Sequence, residues 1–283
     1  MRVRNVRIKS WADLLALEPQ WSSDIFRGQS DASWPLESSL ARAVRKGWSM
    51  GRQDEKDEVY AEYWSVSKFQ RRAHYYLQHL PPVADYVAWL SVMQHHGAPT
   101  RLVDFTRSLY VALYFAIIDA EAEAAVWMLD EAWLMDCGCE FARKRGIETP
   151  DECLRDTRLE NIYKAANSVL TDERAGIMRH DQAIESCVLL CDPVFEIPRL
   201  SLQQGRFLMQ TSLYESFLEN LLATGALARE KTWRKPPVTR ILIPRSLRSE
   251  FLRHLEVMNI SAETLFPGID GFARSLIQKE MMN

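Results

Sequence analysis

Four short stretches of the chain gather residue types able to do chemistry. The first, FRGQ at 26–29, sets Arg27 between Phe26 and Gly28, with Gln29 next and Trp34-Pro35 close behind. A guanidinium is a planar fork of donors matched to phosphate oxygens, and a neighbouring glycine lets ligand and backbone approach closely. The second, QHHGAPTRLVDFT at 94–106, brings His95, Arg101, Asp104 and Thr106 around a Gly/Pro turn, just before the most apolar stretch of the chain. Polar groups on a loop beside a rigid core element are a common form of site. The third, RLSLQQGRF at 199–207, offers Gln204 ahead of a strand. The fourth, TLFPGIDG at 264–271, holds Asp270 in a Pro-Gly turn. Arg27, Gly28, Gln29, Arg101, Asp104 and Thr106 are therefore candidate binding groups, and His95, Gln204 and Asp270 candidate catalytic ones.

Each has a structural alternative. Arg27 can clamp Asp104 or backbone carbonyls and hold an early strand against the central helix. Arg101 and Asp104 stand three apart, the spacing of a helix-start ion pair and cap. His95 and His96 end a helix, where a cation offsets the dipole as readily as it moves a proton. Gln204 can be a satisfied buried amide, and Asp270 an ordinary turn residue.

Other chemistries find less support. The five cysteines are Cys137, Cys139, Cys153, Cys187 and Cys191. None forms a CxxC pair, and no histidine stands at zinc-ligand spacing from them, so no metal is expected, even at Cys137-Gly-Cys139. No carboxylate cluster has the spacing of a metal-dependent nuclease. The net charge of −3 gives no global basic field for duplex nucleic acid. The N-terminal MRVRNVRIKSWADLL has no apolar core of a signal peptide, and no apolar run approaches the roughly 18–20 residues that span a bilayer. A reducing, cytoplasmic setting is the expectation.

The elements that must position these residues follow from pattern. SWADLLALE at 10–18 reads as a short helix capped by Ser10, residues 21–28 as an extended stretch ending in DIFRG, and 38–44 as a helix. Residues 46–56 read as an exposed connection. From Glu55 to Leu80, apolar residues at three- and four-residue steps predict one long amphipathic helix, stopped by Pro81-Pro82. Further helices are predicted at 85–95 and, apolar nearly all round, at 109–118. Continuous apolar runs predict strands at 124–130, 187–192, 205–210 and 239–244. Residues 131–182 read as a helical insertion, and helices at 245–258 and 264–277 close the chain. Helices mostly precede strands, which predicts an α+β fold: a helix-rich N-terminal half on a small mixed or antiparallel sheet, in one domain across 1–283.

FRGQ, QHHGAPTRLVDFT, QQGRF and TLFPGIDG, in this order over residues 20–277, resemble the FRG domain, a bacterial family named for its (F/Y)RG motif. The family's second motif usually reads closer to QHYGLPTRLLDWT, from which His96, Ala98, Val103 and Phe105 depart mildly. The resemblance implies a setting near toxin or phage-defence genes. The aromatic-Arg-Gly motif is also similar to the first motif of arginine-type ADP-ribosyltransferases, in which the arginine holds NAD by its phosphates or nicotinamide ribose. That likeness implies NAD as substrate, a macromolecular acceptor (protein or nucleic acid), a possible antitoxin partner and an ADP-ribosyltransferase-like sheet, with Arg27 on the pyrophosphate. The later motifs of those enzymes, a Ser-Thr-Ser strand and a Glu-x-Glu or Gln-x-Glu turn, have no counterpart here. The nearest acids are Glu196, Glu263 and Asp270. A non-catalytic nucleotide- or partner-binding module is the alternative.

Overall fold

The computed structural model describes residues 2–17, 24–47, 57–150, 154–179, 184–191, 198–228 and 236–281. Residues 48–56 of the expected connection, Cys153 and Glu196 lie outside the described residues.

Helices begin where the sequence supplies a side-chain oxygen for an unpaired backbone N–H. Ser10 caps α1 (Trp11–Leu15), Ser38 caps α2 (Ser39–Arg45) and Asp85 caps α4 (Tyr86–His95), each accepting from the N–H three residues on. Ser108 does the same for α5 (Leu109–Ile117), Asp130 for α6 (Glu131–Lys144), and Ser216, in a full capping box, for α9 (Phe217–Thr224). The remaining helices are α3 (Asp57–Arg72), α7 (Arg155–Arg179), α8 (Pro198–Leu202), α10 (Arg248–Val257), α11 (Ala262–Leu265) and α12 (Ile269–Met281).

One seven-stranded sheet runs through the molecule, which is α+β. Its strands are β1 (Arg4–Arg7), β2 (Asp24–Gln29), β3 (Leu102–Thr106), β4 (Ala124–Asp130), β5 (Val188–Cys191), β6 (Gly205–Gln210) and β7 (Val238–Ile243), in the order β1-β7-β4-β2-β3-β6-β5. Neighbours are antiparallel except for β1 and β7. β4 is buried at every position, because helices cover both faces. On one face α5 packs with α1 and α10 around Phe26, Val126, Met128, Ile241 and Phe251. On the other, α4, α6 and α7 meet the sheet through Trp89, Trp127, Trp133, Phe141 and Val169. Of the region 131–182, the described residues form α6 and α7, which pack into this larger core.

Two expectations are corrected. The helix from Glu55 to Leu80 ends at Arg72, tightening to a 3-10 turn at Ala73–Tyr75. Tyr76 and Leu80, counted on its apolar face, are exposed, so no burial holds the extra turns. The sheet is also not a feature of the second half of the chain, because β1, β2 and β3 all lie within the first 106 residues. β1 is polar and sits at the sheet edge. β3 is the stretch read as a loop: Arg101 and Asp104 interrupt its apolar pattern, but Leu102, Val103 and Phe105 are buried.

At the centre of the sheet the pairing changes. β2 and β4 pair at six positions and β3 and β6 at five, whereas β2 and β3 pair at one, Phe26 opposite Thr106. The sheet is therefore weakly joined in its middle, between the FRG strand and the PTRLVDFT strand.

Candidate functional site

A cleft of about 350 Å³ lies at that seam. Phe26, Arg27 and Gly28 come from β2, and Asp104, Phe105 and Thr106 from β3. Gln94 and His95 come from the end of α4, Phe115 from α5, Gln203 from the turn after α8, and Gly205 and Phe207 from β6. Three of the four sequence motifs thus meet in one cavity walled by four phenylalanines and a few convergent polar groups, the usual make-up of a small-molecule site.

Arg27 is its central cation. Nη1 donates to the Asp104 carbonyl oxygen at 2.7 Å, spanning the seam. The clamp onto a backbone carbonyl weighed from the sequence is therefore present. Nε is buried and has no hydrogen-bond partner. Burial pulls the guanidinium below its ordinary range; Asp104 partly restores it, and nearby Arg42 pushes it down again. A desolvated guanidinium with a buried idle donor is costly until an anion meets it.

Asp104 is exposed and accepts from Gln94 Nε2 at 2.9 Å through Oδ1. Gln94 in turn accepts from the Thr100 hydroxyl. Among the described residues lining the cleft, Asp104 is the sole carboxylate. His95 stands at the mouth, exposed, with its ring edge-on to His96 at 4.9 Å. Thr106 lines the cleft, but its hydroxyl donates to the Gln203 carbonyl at 2.6 Å and accepts from the Ser108 N–H at 3.0 Å, which fixes the strand-to-helix turn.

The remaining candidates serve the scaffold or lie off the cleft. Gly28 serves packing: a Cβ there would stand 2.1 Å from the Ala112 carbonyl oxygen and 2.5 Å from the Ala116 nitrogen. Its missing side chain is what lets α5 lie on β2, not an approach path for a ligand. Gln29 is spent on scaffold, accepting from Trp127 Nε1 at 2.6 Å and donating to the Pro35 carbonyl at 2.9 Å. This also accounts for the Trp-Pro behind the FRG motif: Pro35 supplies the acceptor.

Arg101 is removed from the site altogether. It is 1% exposed, and its partners are Glu62 and Glu173 rather than Asp104. Nε donates to Glu62 at 2.6 Å, and Nη1 to the Thr211 carbonyl at 3.3 Å. Burial alone would lower its pKa, but Glu173 and Glu62 outweigh it and hold the cation above its ordinary range. The residue locks β3 to α3 and α7.

Gln204 is exposed with φ of +48°, and its carbonyl accepts from the Arg107 N–H at 3.0 Å. The left-handed turn residue before Gly205 swings Gln204 out and leaves Gln203 facing the cleft. Asp270 is exposed in the first turn of α12 and lies off the cleft lining. Its motif buttresses the site from behind: the Leu265 carbonyl accepts from Gln203 Nε2 at 3.0 Å, and Phe266 meets Phe115 edge-on at 6.0 Å. Gly271 belongs to this packing, since a Cβ there would meet the Phe266 carbonyl oxygen at 1.9 Å. Sequence reasoning missed Gln94 and Gln203, although they are the first residues of QHHGAPTRLVDFT and QQGRF.

Among the described residues no group of three or more His, Cys, Asp or Glu is placed to hold a metal, and Cys137, Cys139, Cys187 and Cys191 are buried and in no disulfide. Burial pushes the Cys137 thiol up to about 12, away from reactivity. Among the described residues no helix is long and apolar enough to cross a membrane.

Residues 22–125 match the family model of the FRG domain. The match takes in the first two motifs, whose arginine and aspartate meet across the seam, and stops within β4. QQGRF and TLFPGIDG lie beyond it. No curated protein and no solved structure matches the chain.

Proposed function

We propose that the cleft binds NAD and transfers its ADP-ribosyl group to a macromolecular acceptor, protein or nucleic acid. The observation that carries this reading is the buried, unpartnered Nε of Arg27 inside an aromatic-walled cavity at a sheet seam. Arg27 grips the pyrophosphate and the phenylalanines take the planar rings. As the ribose–nicotinamide bond breaks, its electron pair leaves with nicotinamide, and the carboxylate of Asp104 stabilises the positive charge left on the ribose. The acceptor atom then bonds to that carbon and gives its proton to His95 at the mouth. The role of an effector in a bacterial toxin or phage-defence system, working in the cytoplasm and restrained by an antitoxin, rests on the family resemblance.

A second reading is favoured by a specific observation: Asp104 is held by Gln94, while Gln204 and Asp270 stand outside the cleft. On it the cleft holds nucleotide without turning it over. NAD labelled in its adenylate half, incubated with the protein and cell lysate, separates the two. The enzyme reading expects label on macromolecules, lost in Asp104→Asn while NAD still raises the melting temperature. Binding without transfer in the wild type identifies the module. Absence of any NAD-dependent melting shift overturns both. Arg27→Lys keeps the charge but loses the fork, so NAD affinity should fall by about ten- to a hundredfold.

A further inference from the structure

Behind the main cleft is a second cavity of about 170 Å³, against roughly 30 Å³ for a water molecule in the liquid. The two cavities share Arg27, Gln94 and Asp104, so these side chains form the partition between them. The far side of the smaller one adds Glu37, Ser39 and Arg42, supplied by α2 and the residues before it. A half-buried arginine thus faces the chamber from α2 while Arg27 faces it from β2.

Both carboxylates of the lining already have partners. Glu37 is ion-paired outward to Arg45, and Arg42 Nη1 donates to the Glu37 carbonyl oxygen at 3.0 Å, not to a carboxylate. Asp104 already accepts from Gln94. The two guanidiniums of the lining, Arg27 and Arg42, therefore face two carboxylates, Glu37 and Asp104, that other groups already hold. The buried Nε of Arg27 lacks a hydrogen-bond partner. A guanidinium at the partition with an unpartnered buried Nε, and a second guanidinium on the far side of the smaller chamber, form a place for the anionic middle of a ligand longer than either chamber.

We infer that the smaller cavity is a phosphate subsite, so that the site prefers nucleoside diphosphates and pyrophosphate-bridged ligands to nucleoside monophosphates. This rests on reading the Arg27 cleft as a nucleotide site. The base and ribose occupy the aromatic chamber, the first phosphate meets Arg27 at the partition, and the second passes to Arg42. Arg42 is thereby the residue that counts phosphates.

Calorimetric titration of the full chain with AMP, ADP, ADP-ribose and inorganic pyrophosphate tests this, in the wild type and in Arg42→Gln and Arg42→Lys. Wild type should bind ADP and ADP-ribose about tenfold or more tighter than AMP, the increment of a charge-assisted phosphate contact. Arg42→Gln should erase that preference and leave AMP affinity unchanged, and Arg42→Lys should restore part of it. Melting curves of both variants confirm that the fold is intact. Equal affinity of AMP and ADP in the wild type, or an equal loss of both in Arg42→Gln, would overturn the inference while leaving the nucleotide reading standing. Pyrophosphate binding that depends on Arg42 without any nucleotide binding would keep the anion subsite and overturn the nucleotide reading. If no phosphate compound binds, both fall.

Discussion

Replacing Gly28 by alanine adds one methyl group to the FRG motif, and the geometry fixes where it goes. The new carbon would lie 2.1 Å from the Ala112 carbonyl oxygen and 2.5 Å from the Ala116 nitrogen, both backbone atoms of α5. Ordinary contact begins near 3.4 Å, so the helix must back away by about 1.3 Å from β2. No side-chain rotation relieves the clash. α5 is apolar almost throughout and packs on Phe26, Val126 and Ile241, so the retreat loosens the smaller core along its length. Overpacking typically costs about 1–3 kcal/mol and more where the backbone must move; the upper end, about 3 kcal/mol, is expected here. At roughly 2–4 °C per kcal/mol for a chain of this size, the melting temperature should fall by about 6–12 °C. Differential scanning calorimetry of wild type, Gly28→Ala and Gly28→Ala with Ala112→Gly reads the outcome. The double variant should melt as low as the single one or lower, because the clash is with a carbonyl and not with the Ala112 methyl group. Unchanged melting in Gly28→Ala, with loss of ligand binding alone, would refute the packing argument and return this glycine to the role suggested by the sequence.

Arg101→Met should cost about 3–5 kcal/mol, because it strands Glu62 and Glu173 as buried carboxylates; adding Glu62→Gln and Glu173→Leu should recover most of the loss in denaturant titration. Glu58 gives a pH signature. Burial first, then Glu62 and Glu37, raise its carboxyl from 4.5 to about 7 against the pull of Arg101. The folded state therefore binds the proton more tightly than the unfolded chain, so stability is fullest below about pH 4.5 and declines as pH rises to about 7. Glu58 is partly exposed, so after allowance for solvent screening the swing is on the order of 1 kcal/mol, and Glu58→Gln should flatten it in melting curves recorded from pH 4.5 to 8.

What the sequence made legible were the local signals. Ser10 caps a helix, and AAVWMLD and GRFLMQ are strands to the residue. These depend on near neighbours along the chain. β3 was illegible because a strand at a seam keeps polar groups within an apolar run: Asp104 interrupts it, and Arg101 reads as a site residue unless Glu62 and Glu173, distant in sequence, are known to surround it. The same limit misplaced Gln204 relative to Gln203, since the left-handed φ before Gly205 decides which amide turns inward. Asp270 looked reactive beside two glycines, but Gly268 serves a positive-φ turn and Gly271 a close helix approach.

The two arginines of the N-terminal motifs carry the functional argument further than either does alone. Arg101 is fully buried and Arg27 partly so, and both bear the same charge. Around Arg101 the fold assembles two carboxylates and a carbonyl, and the cation is held more firmly than in water. Around Arg27 it supplies one carbonyl bond, leaves Nε without a partner and adds Arg42 on the same side. If Arg27 existed to hold β2 against β3, the solution used at Arg101 would serve better, and Asp104 stands close enough to provide it. Its carboxylate is instead drawn to Gln94. Stability therefore does not explain the arrangement at Arg27, and an anion entering the cleft from solvent would supply the charge that the protein withholds.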